Sequence, residues 1–325
     1  MLIPAYCSLQ FLEDISTKGQ IDLVDPENLL NERVYFETVD LIFNGLIIKT
    51  DSSKGIIDEK ISNPYINHLI KNARLNPAED EFKAMRINEV NFLQDLKYPT
   101  IVFFLSGFSS AIAKQYSEES GRYFFNSDSD FNVLFEDRIQ NFKPNTKIDW
   151  KFAKEFFNPH HSLLIVDPYI FKQNARKAVE ELLMEIIPDK LKIKYHVTFI
   201  GSDINRKNDL PSEQQIRKWV SDMTEKISRR ITCKIDYHIY NKEEFHDRYL
   251  ITDNACIFSG IGVDMIKDGK VKKESTWVSN KPFKKIKTDN TNTFFIDIIH
   301  SKLSLIKSWI LSSNQKISDN PLLKD

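Results

Sequence analysis

The chain has 325 residues, with 45 basic and 46 acidic side chains and a formal net charge of −1. Its 23 Phe, 11 Tyr and 4 Trp exclude a wholly disordered chain, and its 9 Gly and 12 Pro exclude a collagen-like or low-complexity sequence. The balanced charge excludes a globally basic nucleic-acid coat, so any contact with a polyanion has to be local.

The first half of the chain predicts a mixed domain. β-Branched and aromatic residues predict strands at 34–39 and 41–48, and a charged helical stretch follows at about 64–96. The apolar run 100–105 predicts a buried strand, with a helix after it near Ala111. Polar, turn-forming residues then predict a domain boundary near 145, within about ten residues. We expect an N-terminal α+β domain at 1–145, of unknown role, and a second domain at 146–325.

The second half shows a clearer alternation. Buried strands are predicted at 162–166 and 196–200, each followed by an amphipathic helix, at 174–187 and 212–229. Three further strands are predicted at 232–240, 249–252 and 255–258, and a last helix at 301–311. The order β-α-β-α-β-β-β-α indicates an α/β sandwich around a mixed sheet.

The cysteines and the N-terminus bear on the compartment. Cys7, Cys233 and Cys256 are far apart, which argues against a disulfide scaffold and a cysteine-rich zinc module. The first residues lack the basic and apolar regions of a secretory signal, and no apolar run is long enough to span a membrane. We therefore expect a cytoplasmic protein. We also expect no cofactor and no metal, because no motif for either is present.

One cluster carries chemistry, the run from His246 through Asp247 and Arg248 to Asp253. His246 and Arg248 are two residues apart on a predicted extended segment, so their side chains face the same side. A nucleophile or base beside a permanently charged, planar guanidinium suits a phosphate group.

The spacing His-x-Arg-x4-Asp resembles the His-x-Lys-x4-Asp signature of the phospholipase D superfamily. The resemblance implies that His246 attacks phosphorus, that Arg248 replaces the lysine that holds the phosphate, and that Asp253 supports the site. Two such motifs form one active site in that superfamily, within one chain or across a dimer. The Gly-Ser-x-Asn that usually follows is replaced here by residues 258–264, Phe-Ser-Gly-Ile-Gly-Val-Asp.

Residues of about 150–312 are more similar to the C-terminal, phospholipase-D-like domain of MIT-domain-containing proteins. The shared pieces are Asp-Pro-Tyr-Ile at 167–170, His-Asp-Arg at 246–248, Gly-x-Gly-x-Asp at 260–264, and Thr293 followed by Asp-Ile-Ile-His at 297–300. This resemblance implies a phospholipase-D-like fold that binds membrane lipid without enzymatic activity. It also implies supporting roles for Asp167, Tyr169, Gly260, Gly262 and Asp264.

A local basic segment with aromatic residues follows this motif. We predict that it binds a polyanion through Lys270, Lys272, Lys273, Lys284 and Lys285, with Trp277 among them. The alternative is a solvated lysine-rich hairpin that blocks unwanted strand pairing.

Two other clusters favour structural roles. His160 and His161 are adjacent on an extended segment, so their side chains point to opposite sides and a shared metal ion is not expected. Asp128, Asp130 and Glu136 form an acidic group that we interpret as a solvated turn.

Together these patterns predict a protein that binds phosphodiesters, with nucleic acid favoured over lipid. We hypothesise a homodimer that pairs two His246 side chains as a metal-independent nuclease, through a phosphohistidine, in a microbial defence or mobile-element system. The alternatives are a non-catalytic module for anionic membrane lipid, and a scaffold subunit that binds a protein partner through residues 1–145.

Overall fold

The computed structural model describes residues 2–18, 28–88, 91–103, 108–126, 128–157, 159–202, 211–240, 248–260, 262–263, 266–267, 269–287, 292–313 and 315–324. The chain divides into two compact units, Met1–Phe135 and Glu136–Asp325. This division lies about ten residues before the predicted boundary near 145, at the limit of the range given for it. The strand Arg138–Phe142 belongs to the second unit because it pairs with the strand Ser275–Asn280 there.

The N-terminal unit contains a five-stranded sheet in which every neighbouring pair is parallel. Its strands are β1 (Ile3–Cys7), β2 (Leu46–Thr50), β3 (Leu75–Pro77), β4 (Ile101–Phe103) and β5 (Phe124–Phe125), in the order β3-β2-β1-β4-β5. The helices are α1 (Leu9–Lys18), α2 (Asn28–Asp40), α3 (Lys54–Glu59), α4 (Pro64–Lys71), α5 (Glu79–Asn88), α6 (Asn91–Gln94) and α7 (Ser110–Ser120). Parallel strands have to be joined by crossover connections, which usually contain a helix. This unit is α/β, and the predicted α+β class is wrong.

The strand predicted at 34–39 is also wrong, because these residues lie within α2. Helical i,i+4 contacts replace the strand pattern: Arg33 Nε lies 3.1 Å from Glu37 Oε1, and Thr38 donates to the Val34 carbonyl at 2.8 Å. A π-helical turn, Leu41–Gly45, then leads directly into β2. Packing of the helix overrides the β preference of its valine, tyrosine and threonine residues.

The C-terminal unit is built on a seven-stranded mixed sheet in the order β6-β14-β11-β10-β7-β8-β9. The strands of the whole unit, which include the separate pairs β12-β13 and β15-β16, are β6 (Arg138–Phe142), β7 (Ser162–Val166), β8 (Tyr195–Ser202), β9 (Cys233–Tyr240), β10 (Tyr249–Thr252), β11 (Cys256–Ser259), β12 (Ile266–Lys267), β13 (Lys270–Val271), β14 (Ser275–Asn280), β15 (Lys285–Lys287) and β16 (Asn292–Phe294). Strands β7, β8 and β9 are parallel, and the other neighbours in the large sheet are antiparallel. The mixed sheet is as predicted.

The helices of this unit are α8 (Ala153–Phe157), α9 (Gln173–Ile186), α10 (Glu213–Ser228) and α11 (Phe295–Ser312). Helix α9 connects β7 to β8 and buries one apolar stripe that includes Val179, Leu182 and Ile186. Helix α10 begins with a capping box in which the Ser212 hydroxyl accepts from the Gln215 amide and the Gln215 side chain accepts from the Ser212 amide. Both lie close to their predicted bounds, whereas α11 begins well before the predicted residue 301.

Two predictions about the whole chain can be compared with the described residues. None of the helices described is long and apolar enough to cross a membrane. The three cysteines are free. Burial raises the pKa of both Cys233 and Cys256 to about 12, so neither is a ready thiolate nucleophile.

Candidate functional site

The topology brings the motif residues to one edge of the large sheet. The parallel strands β7, β8 and β9 all end at this edge, and β10, which is antiparallel to β7, begins there. Tyr249 is in register with Val166, so the preceding Arg248 lies beside Asp167. We call Asp167, Tyr169, Lys172, Arg248, Gly260 and Gly262 the Arg248 edge.

The guanidinium of Arg248 is held in a fixed position. Its Nη1 donates to the Gly260 carbonyl at 2.8 Å, and its Nε lies 3.8 Å from Asp167 Oδ1. The guanidinium carbon lies 5.4 Å from the centroid of the Tyr169 ring. The side chain is 22% exposed, and no acceptor among the described residues contacts Nη2. The site thus presents an oriented cation with donor capacity left for a ligand.

Asp167 is the internal partner of this cation. It is almost fully buried, its Oδ1 accepts from the Tyr169 amide at 2.8 Å, and its Oδ2 accepts from the Val263 amide at 3.0 Å. The carboxylate therefore ties the turn after β7 to the loop after β11. The bond from the Tyr169 amide also caps the turn at Pro168, which is a structural role, and a role for Asp167 in supporting a ligand site stays a prediction.

The two predicted glycines differ in their roles. Gly262 has a φ of +74°, and a Cβ built on it would lie 2.0 Å from Asp167 Oδ2 and 2.6 Å from Arg248 Cδ. Only glycine fits there. A Cβ on Gly260 would make an ordinary contact of 3.7 Å with Ser275 Oγ. Gly260 therefore contributes through its carbonyl oxygen, which accepts from Arg248.

Lys172 was not predicted from the sequence. Its Nζ lies 4.4 Å from the centroid of the Tyr169 ring, so this ring contacts two cations, Lys172 and Arg248. The available signal was position, because Lys172 follows Tyr169 by three residues in the turn before α9.

Asp253, predicted as a catalytic residue, is not brought to this edge. Five residues of extended chain, roughly 16 Å, separate it from Arg248 at the other end of β10. It is buried, and its Oδ2 accepts from the amides of His161 and Ser162 at 2.8 and 2.7 Å and lies 3.1 Å from His161 Nδ1. Asp253 holds the start of β7 and does not contact Arg248, and its role in supporting the site stays a prediction.

His246, predicted as the nucleophile, lies outside the described residues, as do Asp247 and Asp264. The described residues on either side of the first two are Tyr240, where β9 ends, and Arg248, before β10 begins, and both lie at the same end of the large sheet. The nucleophilic role of His246 stays a prediction.

The predicted basic segment divides between the two ends of β14. Lys270, Lys272 and Lys273 precede the amino end of β14, which lies beside Gly260 since the Gly260 amide donates to the Thr276 carbonyl. Lys284 and Lys285 follow the carboxyl end, beyond six residues of strand or roughly 20 Å. Lys284 pairs there with Asp137. The segment is therefore not one continuous surface, and only its first part lies near Arg248.

Trp277 was predicted to contact a polyanion, and this prediction is wrong. Its side chain is 0% exposed. Its ring packs against Phe142, Trp150 and Phe152, with centroid distances of 5.7, 5.7 and 5.9 Å. The alternation of β14 points Trp277 into the core, so no ligand reaches it.

The adjacent histidines are structural. His160 and His161 are fully buried, and His160 Nε2 lies 2.7 Å from the Tyr195 hydroxyl oxygen. Burial lowers the pKa of His160 to about 4, so the imidazole is neutral at pH 7. No group of three potential metal ligands occurs among the residues that the structure describes.

The acidic group also serves as local structure where it is described. Asp130 accepts from the Asn132 amide at 2.9 Å, and the Asp128 amide donates to Asn126 Oδ1 at 3.1 Å. Both are turn contacts, as interpreted from the sequence. Glu136 belongs to the other unit.

Comparison with known proteins does not assign the chain. No protein-family model matches it, and no curated protein matches it. A function is therefore inferred from the geometry of the Arg248 edge.

Proposed function

We propose that the C-terminal unit binds phosphodiester groups of nucleic acid through Arg248. The observation that carries this proposal is the guanidinium fixed at the sheet edge by Gly260 and Asp167, with Nη2 contacting no acceptor among the described residues. Arginine presents a planar fork of donors that matches two phosphate oxygens.

The charge of the edge favours a phosphodiester over a phosphomonoester. Among its described residues two cations, Arg248 and Lys172, face one carboxylate, Asp167. The resulting charge of about +1 balances a diester, whereas a terminal phosphate carries nearly two negative charges. The exposed Lys273 before β14 lies towards the same end of the sheet and can contact a neighbouring phosphate.

The wider proposal is that this unit has a phospholipase-D-like sandwich with a degenerate active site. Its support is the mixed sheet together with the convergence of Asp167, Arg248 and Gly262, residues that belong to separate pieces of the resemblance. Cleavage is a further step. It would need His246 as the nucleophile, and in this proposal a second copy of the chain would supply the other histidine.

The test is a binding and cleavage assay with the full chain in EDTA. Labelled single- and double-stranded DNA, RNA and anionic phosphatidylserine vesicles are titrated with wild type, Arg248→Gln and the control Arg229→Gln. Arg229 is an exposed arginine of the same unit, paired with Glu225 at the end of α10.

We expect wild type and Arg229→Gln to bind nucleic acid equally, and Arg248→Gln to bind about tenfold or more weakly, because a charge-assisted hydrogen bond is lost. Equal binding by all three proteins contradicts the proposal. Binding to vesicles alone would identify a lipid module. If the protein binds neither nucleic acid nor vesicles, the proposal fails and the scaffold subunit becomes the favoured alternative. Cleavage that is lost in His246→Ala would identify a metal-independent nuclease.

A further inference from the structure

Strand β9 is the last strand on one side of the large sheet, so one side of its backbone is open. It is parallel to β8 over eight consecutive residue pairs. Just before the strand, the Thr232 carbonyl accepts from the Tyr195 amide of β8 at 2.9 Å. Since backbone groups alternate along a strand, the amides and carbonyls of Cys233, Ile235 and Tyr237 point away from the sheet. No group of the described residues bonds to these amides and carbonyls.

The described residues do not protect this edge in the usual ways. Natural proteins block an exposed strand edge with proline, a bulge, a free lysine or a covering loop. Residues 233–240 contain no proline or glycine and keep an unbroken register with β8. The charge of Lys234 is neutralised, because its Nζ pairs with Asp319. A groove of about 410 Å³ follows the strand between Val220 of α10 and residues 315–319, so a further strand has access to the edge.

We propose that β9 pairs with β9 of a second copy of this chain, as an antiparallel, two-fold symmetric strand pair. The Ile239 carbonyl already accepts from the Gln315 side chain at 2.8 Å, which leaves Ile235 as the centre of the open edge. With Ile235 opposite Ile235 of the second copy, Cys233 lies opposite Tyr237. The open amides and carbonyls of these three residues then all find partners, which gives about six hydrogen bonds across the dimer.

The charges of β9 suit this pairing. Lys234 and Asp236 lie on the same face of the strand, and their side chains are 34% and 29% exposed. In the proposed register Lys234 lies opposite Asp236 of the second copy, with their Cα atoms about 4.5 Å apart, and the two-fold axis repeats this contact. The Lys234 ammonium has three donors, so it can bond this carboxylate and keep its pairing with Asp319. The two strands therefore oppose unlike charges, which favours association.

The dimer also fixes how the two Arg248 edges are related. The two copies of β9 run in opposite directions, so their carboxyl ends lie at opposite ends of the joined sheet. Each β9 ends at the same end of its sheet as its own Arg248. The two Arg248 edges therefore face apart, and cleavage by two histidines, which rests on the proposed function, would need a different pairing of the chains. The pairing of β9 does not depend on phosphodiester binding.

The test is the mass of the full chain in solution, measured by sedimentation equilibrium in reducing buffer. We expect wild type to reach twice the chain mass of 38.0 kDa. Lys234→Glu places a carboxylate opposite Asp236, and Asp236→Lys places an ammonium opposite Lys234, so each variant alone should dimerise at least about tenfold more weakly. The control is Lys218→Glu, which reverses an exposed charge on α10 and should dimerise as wild type does.

A mixture of Lys234→Glu and Asp236→Lys opposes unlike charges at both contacts, so the mixed dimer should form with about the wild-type affinity. This rescue also requires that both variants are folded. A wild-type chain that keeps the single-chain mass up to about 0.1 mM overturns the proposal. So does a dimer whose affinity is the same in both variants as in wild type, or a mixture of folded variants that does not dimerise.

Cross-linking gives a second measurement that does not depend on charge. In a Cys233→Ser background, Lys234→Cys and Asp236→Cys should form an interchain disulfide when the two proteins are mixed and oxidised, because the Cα separation of about 4.5 Å suits a disulfide. Either protein alone should form much less. Equal cross-linking in the mixture and in the separate proteins contradicts the register, and with it the proposal.

Discussion

Replacing Gly262 by alanine tests the packing that positions Arg248. The new Cβ would lie 2.0 Å from Asp167 Oδ2, so the carboxylate has to move by about 1 Å or more to reach an ordinary contact. That movement breaks the hydrogen bond from the Val263 amide to Asp167, which contributes about 1.5–3 kcal/mol as a bond to a charged group. The left-handed backbone of Gly262 adds about 1–2 kcal/mol of strain for alanine. We expect a total loss of about 2.5–5 kcal/mol in the free energy of unfolding.

Gly269 provides a matched control in the same unit. It has a similar φ of +72°, but a Cβ built on it meets nothing within 4 Å. Gly269→Ala should therefore lose only the backbone strain of about 1–2 kcal/mol. The assay is urea unfolding of wild type and both variants, followed by fluorescence and circular dichroism. Equal losses for the two variants would refute the close approach of Gly262 to Asp167, and with it our account of how Arg248 is held.

Three further predictions concern buried polar groups, each read by urea unfolding. Lys281→Met should stabilise the protein by about 3 kcal/mol at pH 7, because the pKa of the lysine amine falls from 10.5 to about 8 on folding. The stability of wild type should therefore rise between pH 8 and 10.5. Equal free energies of unfolding for wild type and Lys281→Met at pH 7 would contradict this. The pKa of His160 is 6.5 in the unfolded chain and about 4 in the folded protein. Between pH 6.5 and 4 the free energy of unfolding of wild type should therefore fall by about 3 kcal/mol relative to that of His160→Gln. The same dependence of stability on pH in both proteins would exclude this. Asp253→Ala should lower the free energy of unfolding by about 3–5 kcal/mol, because two buried amides lose their acceptor. The affinity of the folded protein for nucleic acid should stay at the wild-type value. A loss of affinity without a loss of stability would show that Asp253 acts at the binding site.

The sequence predicted the second half of the fold better than the first. Strands β7 and β10 match their predicted bounds, since central strands buried on both faces leave continuous apolar runs. The apolar run 100–105 predicted β4, but β3 and β5 have only three and two residues, too few to show a period, so the parallel sheet of the N-terminal unit could not be predicted. The helix over 34–39 has a β-like composition, and its i,i+4 contacts become evident only in the fold.

The candidate site was predicted in part. The motifs named Asp167, Arg248 and Gly262, and antiparallel pairing of β10 with β7 brings them together. Linear spacing places Asp253 about 16 Å from Arg248 along an extended strand, but it could not show that Asp253 accepts hydrogen bonds from the amides of His161 and Ser162. It also could not show that Trp277 points inward, because the facing residues Phe142 and Trp150 come from more than 120 positions earlier in the sequence. These outcomes depend on strand order and register, which local patterns do not determine.

The measurement that tests the central claim most directly is the salt dependence of nucleic-acid binding. Each phosphate contacted by a cation contributes about −0.9 to the slope of log K against log salt for double-stranded DNA, or about −0.7 for a single strand. We predict that Arg248→Gln weakens binding and makes the slope shallower by about one contact, whereas Arg229→Gln leaves both affinity and slope at the wild-type values. A slope that is the same in wild type and Arg248→Gln would show that Arg248 contacts no phosphate, and would contradict the account.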